Sequence, residues 1–158
     1  MKRSLRVGFS FGLTSGIITT LGLMVGLFSG TGSQLVVIGG IITISVADAF
    51  SDSLSIHISQ EFENDNSHKE IWESTFSTFI CKFIFSAFFI LPVLLFDLKT
   101  AIIISVLIGF YLIFLISLVI ARQRKVKAWK VISEHLLIMA IVILFTYYIG
   151  YWVSLTFS

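Results

Sequence analysis

Asp48 and Asp52 stand four residues apart inside an apolar stretch. On a helix this spacing sets both carboxylates on one face, about 6 Å apart along the axis. An ionised carboxylate at membrane depth costs about 3 kcal/mol or more, so such residues face a bundle interior or a water-filled cavity. Paired carboxylates in that setting suit cation binding or proton transfer. Asp48 lies nearer the expected midplane and has no lysine or arginine in its own stretch. Lys82, in a separate apolar stretch, reaches a depth similar to that of Asp52, roughly 9–15 Å in from the same ends of their helices. A salt bridge between them would neutralise both, with two consequences that stand side by side. Lys82 either competes with a bound cation and is displaced during a cycle, or it takes Asp52 out of transport altogether. For each aspartate a purely structural role, as an ion-pair partner of Lys82, stands beside the functional one.

A second acidic group lies at 59–70, where Glu61, Glu63, Asp65, Glu70 and His68 gather among amides. Carboxylates and imidazole are hard and borderline ligands that suit divalent metals. No fixed ligand spacing recurs among them, and a solvated connector reads the same way and is preferred. His57 and His135 fall near expected helix ends, where an imidazole faces the headgroups or bonds a carbonyl. The single cysteine, Cys81, is read as a small hydrophobe, and one cysteine forms no disulfide within the chain. Neither a glycine-rich phosphate loop nor a nucleophile elbow is present, so an enzyme is not expected.

The elements that must carry these residues are set by composition. Of 158 residues 56% are hydrophobic and 13% charged, with a mean hydropathy of +0.99, too little polar surface to coat a water-soluble globule. A spanning helix takes about 20 apolar residues, and five such runs are found at about 7–28, 34–58, 71–96, 101–121 and 131–155. The expected architecture is an all-α integral membrane bundle forming a single transmembrane domain over 1–158, with the first run retained rather than cleaved as a signal. Pro92 predicts a kink near the far end of the third span.

Charge placement orients the bundle. Residues 122–130 hold five basic residues and no acid, and Lys2, Arg3 and Arg6 fall on the same side of five spans. The positive-inside rule makes that side cytoplasmic and puts the C-terminus, with Ser158, outside. The basic loop reads as topology and attraction to anionic lipid, and nucleic acid is not expected as a partner. Tyr147, Tyr148, Tyr151 and Trp152 make an interfacial aromatic belt. Gly8, Gly12, Gly16, Gly22 and Gly26 form small-residue ridges on the first helix. Because five short helices enclose a polar path poorly alone, a homodimer through this helix is expected.

Residues 12–27 resemble the first-helix signature of the vacuolar iron transporter family, Asp-Gly-Leu-Val-Thr-Thr-Leu-Gly-Leu-Val-x-Gly, here Ser15-Gly16-Ile17-Ile18-Thr19-Thr20-Leu21-Gly22-Leu23-Met24-Val25-Gly26. Leu54-Ser55 with Ser59-Gln60 is similar to that family's second-helix ending, and Phe145-Thr146-Tyr147-Tyr148-Ile149-Gly150 to its final-helix ending. The resemblance implies a dimeric antiporter that moves ferrous iron, and often manganese, out of the cytoplasm against protons. It places the family's first-helix aspartate on Ser15. A gapless second-helix register places the family's methionine and glutamate on Asp48 and Asp52, and a register taken from the Ser-Gln ending places them on Ala49 and Ser53. The gapless register replaces a thioether with a carboxylate, which favours a harder cation such as manganese or magnesium.

On this resemblance the candidate metal residues are Asp48, Asp52, Ser15, Thr19, Ser45, Glu61 and Glu63, with Lys82 as ion-pair candidate. The implied function is proton-coupled export of Fe2+ or Mn2+, with no cofactor beyond the transported cation. The alternative is a non-transporting membrane protein of the same fold, acting in structural or partner interactions. The family's long cytoplasmic metal-binding insertion is reduced here to the acidic connector. The expected location is the cell membrane of a prokaryote, or a vacuolar or other organelle membrane of a eukaryote.

Overall fold

The computed structural model describes residues 2–63 and 66–157; Asn64 and Asp65 of the connector and Ser158 at the expected outer end lie outside the described residues. Six helices follow one another: α1 (Arg3–Thr31), α2 (Gln34–Phe62), α3 (His68–Phe88), α4 (Ile90–Leu95), α5 (Leu98–Arg124) and α6 (Ala128–Phe157). No strand occurs among the described residues. Five helices are long and apolar enough to cross a membrane, with α3 and α4 together making the third at His68–Leu95. The protein is therefore an all-helical, multi-pass integral membrane protein.

The helix ends follow local chemistry. Gly32, in the left-handed region at φ 59°, lets the chain leave α1 and donates its N–H to the Phe28 carbonyl at 2.9 Å. α2 continues through Phe62, so Ser59, Gln60 and Glu61 of the expected connector are helical. Ser67 opens α3 with a capping box: its N–H and hydroxyl donate to Glu70 Oε2 at 3.0 and 2.7 Å, and its Oγ faces the Glu70 N–H at 3.4 Å. The expected kink is found as the break at Phe89 between α3 and α4. It falls where the Pro92 ring would meet the carbonyl one turn earlier. Asp97 caps α5 by accepting the Thr100 N–H at 3.1 Å, and that bond holds its carboxyl below the usual range.

The chain divides into two compact units, Met1–Thr20 with Ile41–Phe88 and Leu21–Gly40 with Phe89–Ser158. In the first, α3 inverts the soluble pattern. Its buried side includes Ser74, Thr78, Lys82 and Ser86 at four-residue steps, while Phe76, Ile80, Phe83 and Ile84 are exposed. Opposite that polar stripe lie Gly8, Gly12 and Gly16, where an added Cβ on Gly12 would stand 2.6 Å from the Thr78 carbonyl and one on Gly16 3.1 Å from the Lys82 carbonyl. Such close backbone approach is what small residues allow between membrane helices.

In the second unit the later glycines of α1 meet α6. A Cβ on Gly26 would lie 3.4 Å from the Thr146 carbonyl, and the Ser29 hydroxyl donates to the Tyr147 carbonyl at 2.9 Å. Gln34 donates to the Val93 carbonyl at 2.6 Å, and Ser117 on α5 pairs with His135 Nδ1 on α6 at 2.8 Å. The belt residues Tyr147, Tyr148, Tyr151 and Trp152 are exposed on α6.

The glycines expected to face a second copy are thus occupied by the chain's own helices. Half of the most apolar window of α1 is buried, more than in any other span, so a dimer through α1 loses the feature that suggested it. The close approach is testable. Gly12→Val is expected to force α1 from α3 and destabilise the protein by about 2 kcal/mol or more. Ala140→Val, at an exposed position of α6, should be neutral. Thermal unfolding in detergent separates the two, and equal melting temperatures would contradict the packing.

Candidate cation site

α2 contributes Asp48 and Asp52, α1 contributes Ser15 and Thr19, and α3 contributes Lys82, all within the first compact unit. Four-residue spacing on α1 and on α2 places two hydroxyls opposite two carboxylates. The Ser15 hydroxyl donates to Asp52 Oδ2 at 2.6 Å, and the Thr19 hydroxyl reaches Asp48 Oδ2 at 3.0 Å and the Ser15 carbonyl at 2.8 Å. The matching steps bring each aspartate level with one hydroxyl.

Lys82 closes the cluster. Its side chain is fully buried, and its ammonium has three N–H groups to satisfy. Three acceptors meet it: Ser15 Oγ at 2.7 Å, Asp48 Oδ2 at 2.5 Å and Asp52 Oδ2. Lys82 therefore pairs with both aspartates rather than with one. Two carboxylates and one ammonium leave the ionised cluster with a net charge of −1. Among the described residues neither Oδ1 has a hydrogen-bond partner, and the Asp48 and Asp52 side chains keep 26% and 18% exposure. An ionised carboxylate open to lipid is costly, so that free side calls for water or a further polar partner.

The other candidates lie elsewhere. Ser45 is buried one turn before Asp48, but its hydroxyl donates to the Ile42 carbonyl at 2.9 Å and makes no bond to the cluster. Glu61 is nine residues beyond Asp52, roughly 13 Å along the helix, and faces His57 Nε2 at 3.5 Å. Glu63 accepts from the Asn66 amide at 3.0 Å. Among the described residues no three histidine, cysteine, aspartate or glutamate side chains group to hold a metal ion. A cation at Asp48 and Asp52 would need hydroxyl, carbonyl or water oxygens to complete its shell.

Sequence reasoning missed the stripe that carries Lys82, although Ser74, Thr78, Lys82 and Ser86 recur every fourth residue. It also missed the tie at the start of α1. Glu73 accepts from Lys2 and from the Ser4 hydroxyl, each at 2.7 Å, and the bond to Glu73 pushes the Lys2 ammonium above its usual range. This tie fixes the entry of α1 against α3 on the glycine side.

The fold and the cluster define a multi-pass membrane protein in which two partly exposed carboxylates are paired with one fully buried lysine. Residues 52–151 match the VIT family, and the chain belongs to that family, the vacuolar iron transporters. The matched stretch includes Asp52 and Lys82 and begins after Asp48, Ser15 and Thr19. Neither the curated proteins nor the solved structures yield a match. Membership makes membrane transport of metal ions the class of function.

The triad has an energetic signature. Lys82→Met strands two carboxylates and is expected to destabilise the protein by about 3–5 kcal/mol. Asp48→Asn or Asp52→Asn leaves the ammonium one carboxylate and should cost much less. Combining Lys82→Met with both Asn changes should recover most of the loss. Thermal unfolding of the four variants measures this, and an Asp48→Asn loss as large as that of Lys82→Met would contradict the shared pairing.

Proposed function

We propose that the protein exports divalent metal cations, Fe2+ or Mn2+, from the cytoplasm in exchange for protons. The observation that carries this reading is the pair of α2 carboxylates, each held through Oδ2 and each with an unbonded Oδ1 and residual exposure. Asp48 and Asp52 supply the charge that binds the metal, and Ser15 and Thr19 are neutral oxygen ligands beside them. An all-oxygen set of this kind favours a hard divalent ion. One proton taken up by the carboxylates after metal release neutralises the cluster they form with Lys82 and completes the exchange. Ser45 lines the helix face leading deeper from Asp48. Glu61 and Glu63 stand at the cytoplasmic end of α2, where their charge raises the local cation concentration.

In this reading the basic 122–130 loop and the N-terminus are cytoplasmic, by the positive-inside rule. The functional unit is a homodimer, and its support now comes from α2. Thr43, Ala47, Ser51, Ser55 and Ser59 are all exposed at four-residue steps, a ridge that lets a second helix approach closely beside the aspartates. A second copy there would cover the exposed sides of both carboxylates.

One observation favours the second reading, a non-transporting protein: Lys82 already pairs with Oδ2 of both aspartates. Proteoliposomes loaded with a metal-sensitive dye distinguish the two. The native protein is expected to pass manganese or iron only against an opposing proton gradient. Asp48→Asn, which stays folded on Asp52 and Lys82, should lower that flux at least about tenfold. Absence of flux through the native protein, or full flux through the stable Asp48→Asn variant, overturns the assignment.

A further inference from the structure

We propose that His57 and Glu61 form a second metal site, a two-ligand clasp for a divalent transition-metal ion at the end of α2 nearest the connector. The clasp is separate from Asp48, Asp52 and Lys82 and does not depend on the transport reading. Its two side chains stand four residues apart on α2, a spacing that sets them on one face. His57 Nε2 lies 3.5 Å from Glu61 Oε1, farther than an N–H···O bond reaches. It is the separation of two ligands that share one ion at about 2.1 Å each, near the tetrahedral angle.

Thr75 settles which ring nitrogen is free. Its hydroxyl lies 2.8 Å from the Ile71 carbonyl, which can only accept, so the single hydroxyl proton is given there. The Thr75 oxygen then meets His57 Nδ1 at 2.9 Å as an acceptor, and Nδ1 carries the N–H. A neutral His57 thus turns its Nε2 lone pair toward the Glu61 carboxylate. Two electron-rich groups repel with nothing between them, and a cation placed between them satisfies both. Donation from the other ring nitrogen is the outer support that orients a metal-binding imidazole. Trp72 on α3 holds the same ring from the side, its centroid 4.8 Å away in an edge-on contact. The His57 side chain is 17% exposed and that of Glu61 57%, so the clasp is anchored at one end and open at the other, where water completes the ion's shell. An imidazole beside a carboxylate is a borderline donor set, which prefers Fe2+, Co2+ or Zn2+ to Mg2+.

The test uses Trp72 as reporter, in purified protein carrying Trp129→Phe and Trp152→Phe. Co2+ bound at His57 quenches the neighbouring indole, so titration at neutral pH should give saturable quenching that Mg2+ neither causes nor relieves. His57→Ala, Glu61→Gln and Thr75→Val should each weaken Co2+ binding by about tenfold or more, Thr75→Val because the ring loses its support. Asp48→Asn should leave the quenching as it is. A proton on Nε2 would also pair the two groups, and in that case Co2+ gives no saturable quenching, which overturns the inference. Unchanged affinity in any of the three clasp variants overturns it too. Loss of quenching in Asp48→Asn would place the ion at the transport cluster and overturn it as well, while leaving that cluster's assignment standing.

Discussion

A lysine ammonium at membrane depth has three donors and no water to meet them, and the cluster is organised around that demand. Lys82 can reach acceptors on α2 and α1 only because α3 lies close to α1. That approach in turn depends on Gly12 and Gly16, where a side chain would collide with the backbone around Thr78 and Lys82. The polar stripe of α3 is tolerated for the same reason: Ser74 and Thr78 return their hydroxyls to carbonyls one turn back and Ser86 gives its hydroxyl to Gly16. The hydroxyls of this stripe are thus satisfied within the helices, as a medium without water requires. The exposed side of α3 is left to phenylalanine and isoleucine.

Ser15 has a particular place in this arrangement. It accepts from Lys82 and donates to Asp52, which a hydroxyl can do and a carboxylate cannot. The resemblance of the first helix to the vacuolar iron transporters puts an aspartate at this position. A third carboxylate here would raise the cluster to a net −2 beside the same ammonium. Serine and lysine together therefore leave the cluster less negative than three carboxylates would.

Much of the fold was legible beforehand because lipid imposes length and composition on each span. The five helices and the break near Pro92 follow from those constraints. The spacing of Asp48 and Asp52 set them on one face, and their depth relative to Lys82 suggested a pair. What spacing along a chain does not encode is the rotation and register of one helix against another. For that reason the choice of Asp48 or Asp52 as the lysine's partner stayed open, and the answer, both, needed the packing of three helices. The glycine ridge shows the same gap. Glycines at four-residue steps say that a backbone comes close, and the backbone proved to be that of α3 and α6 in the same chain. The four-residue recurrence on α3 was present in the sequence around Lys82, yet serine and threonine are common enough in membrane helices that it does not by itself say which side of α3 is buried. Ser45 fails to join the site because its hydroxyl bonds its own helix, a local competition that side-chain type alone does not decide.

The central claim is that the cargo binds where the ammonium now sits, between Asp48 and Asp52. Anomalous diffraction from crystals soaked in manganese locates the ion without reference to activity. The account predicts a peak in contact with both aspartates and with an oxygen of Ser15 or Thr19, and a Lys82 ammonium that no longer bridges the two aspartates. A peak confined to Glu61 and Glu63, with Lys82 still bridging the two aspartates, would contradict it.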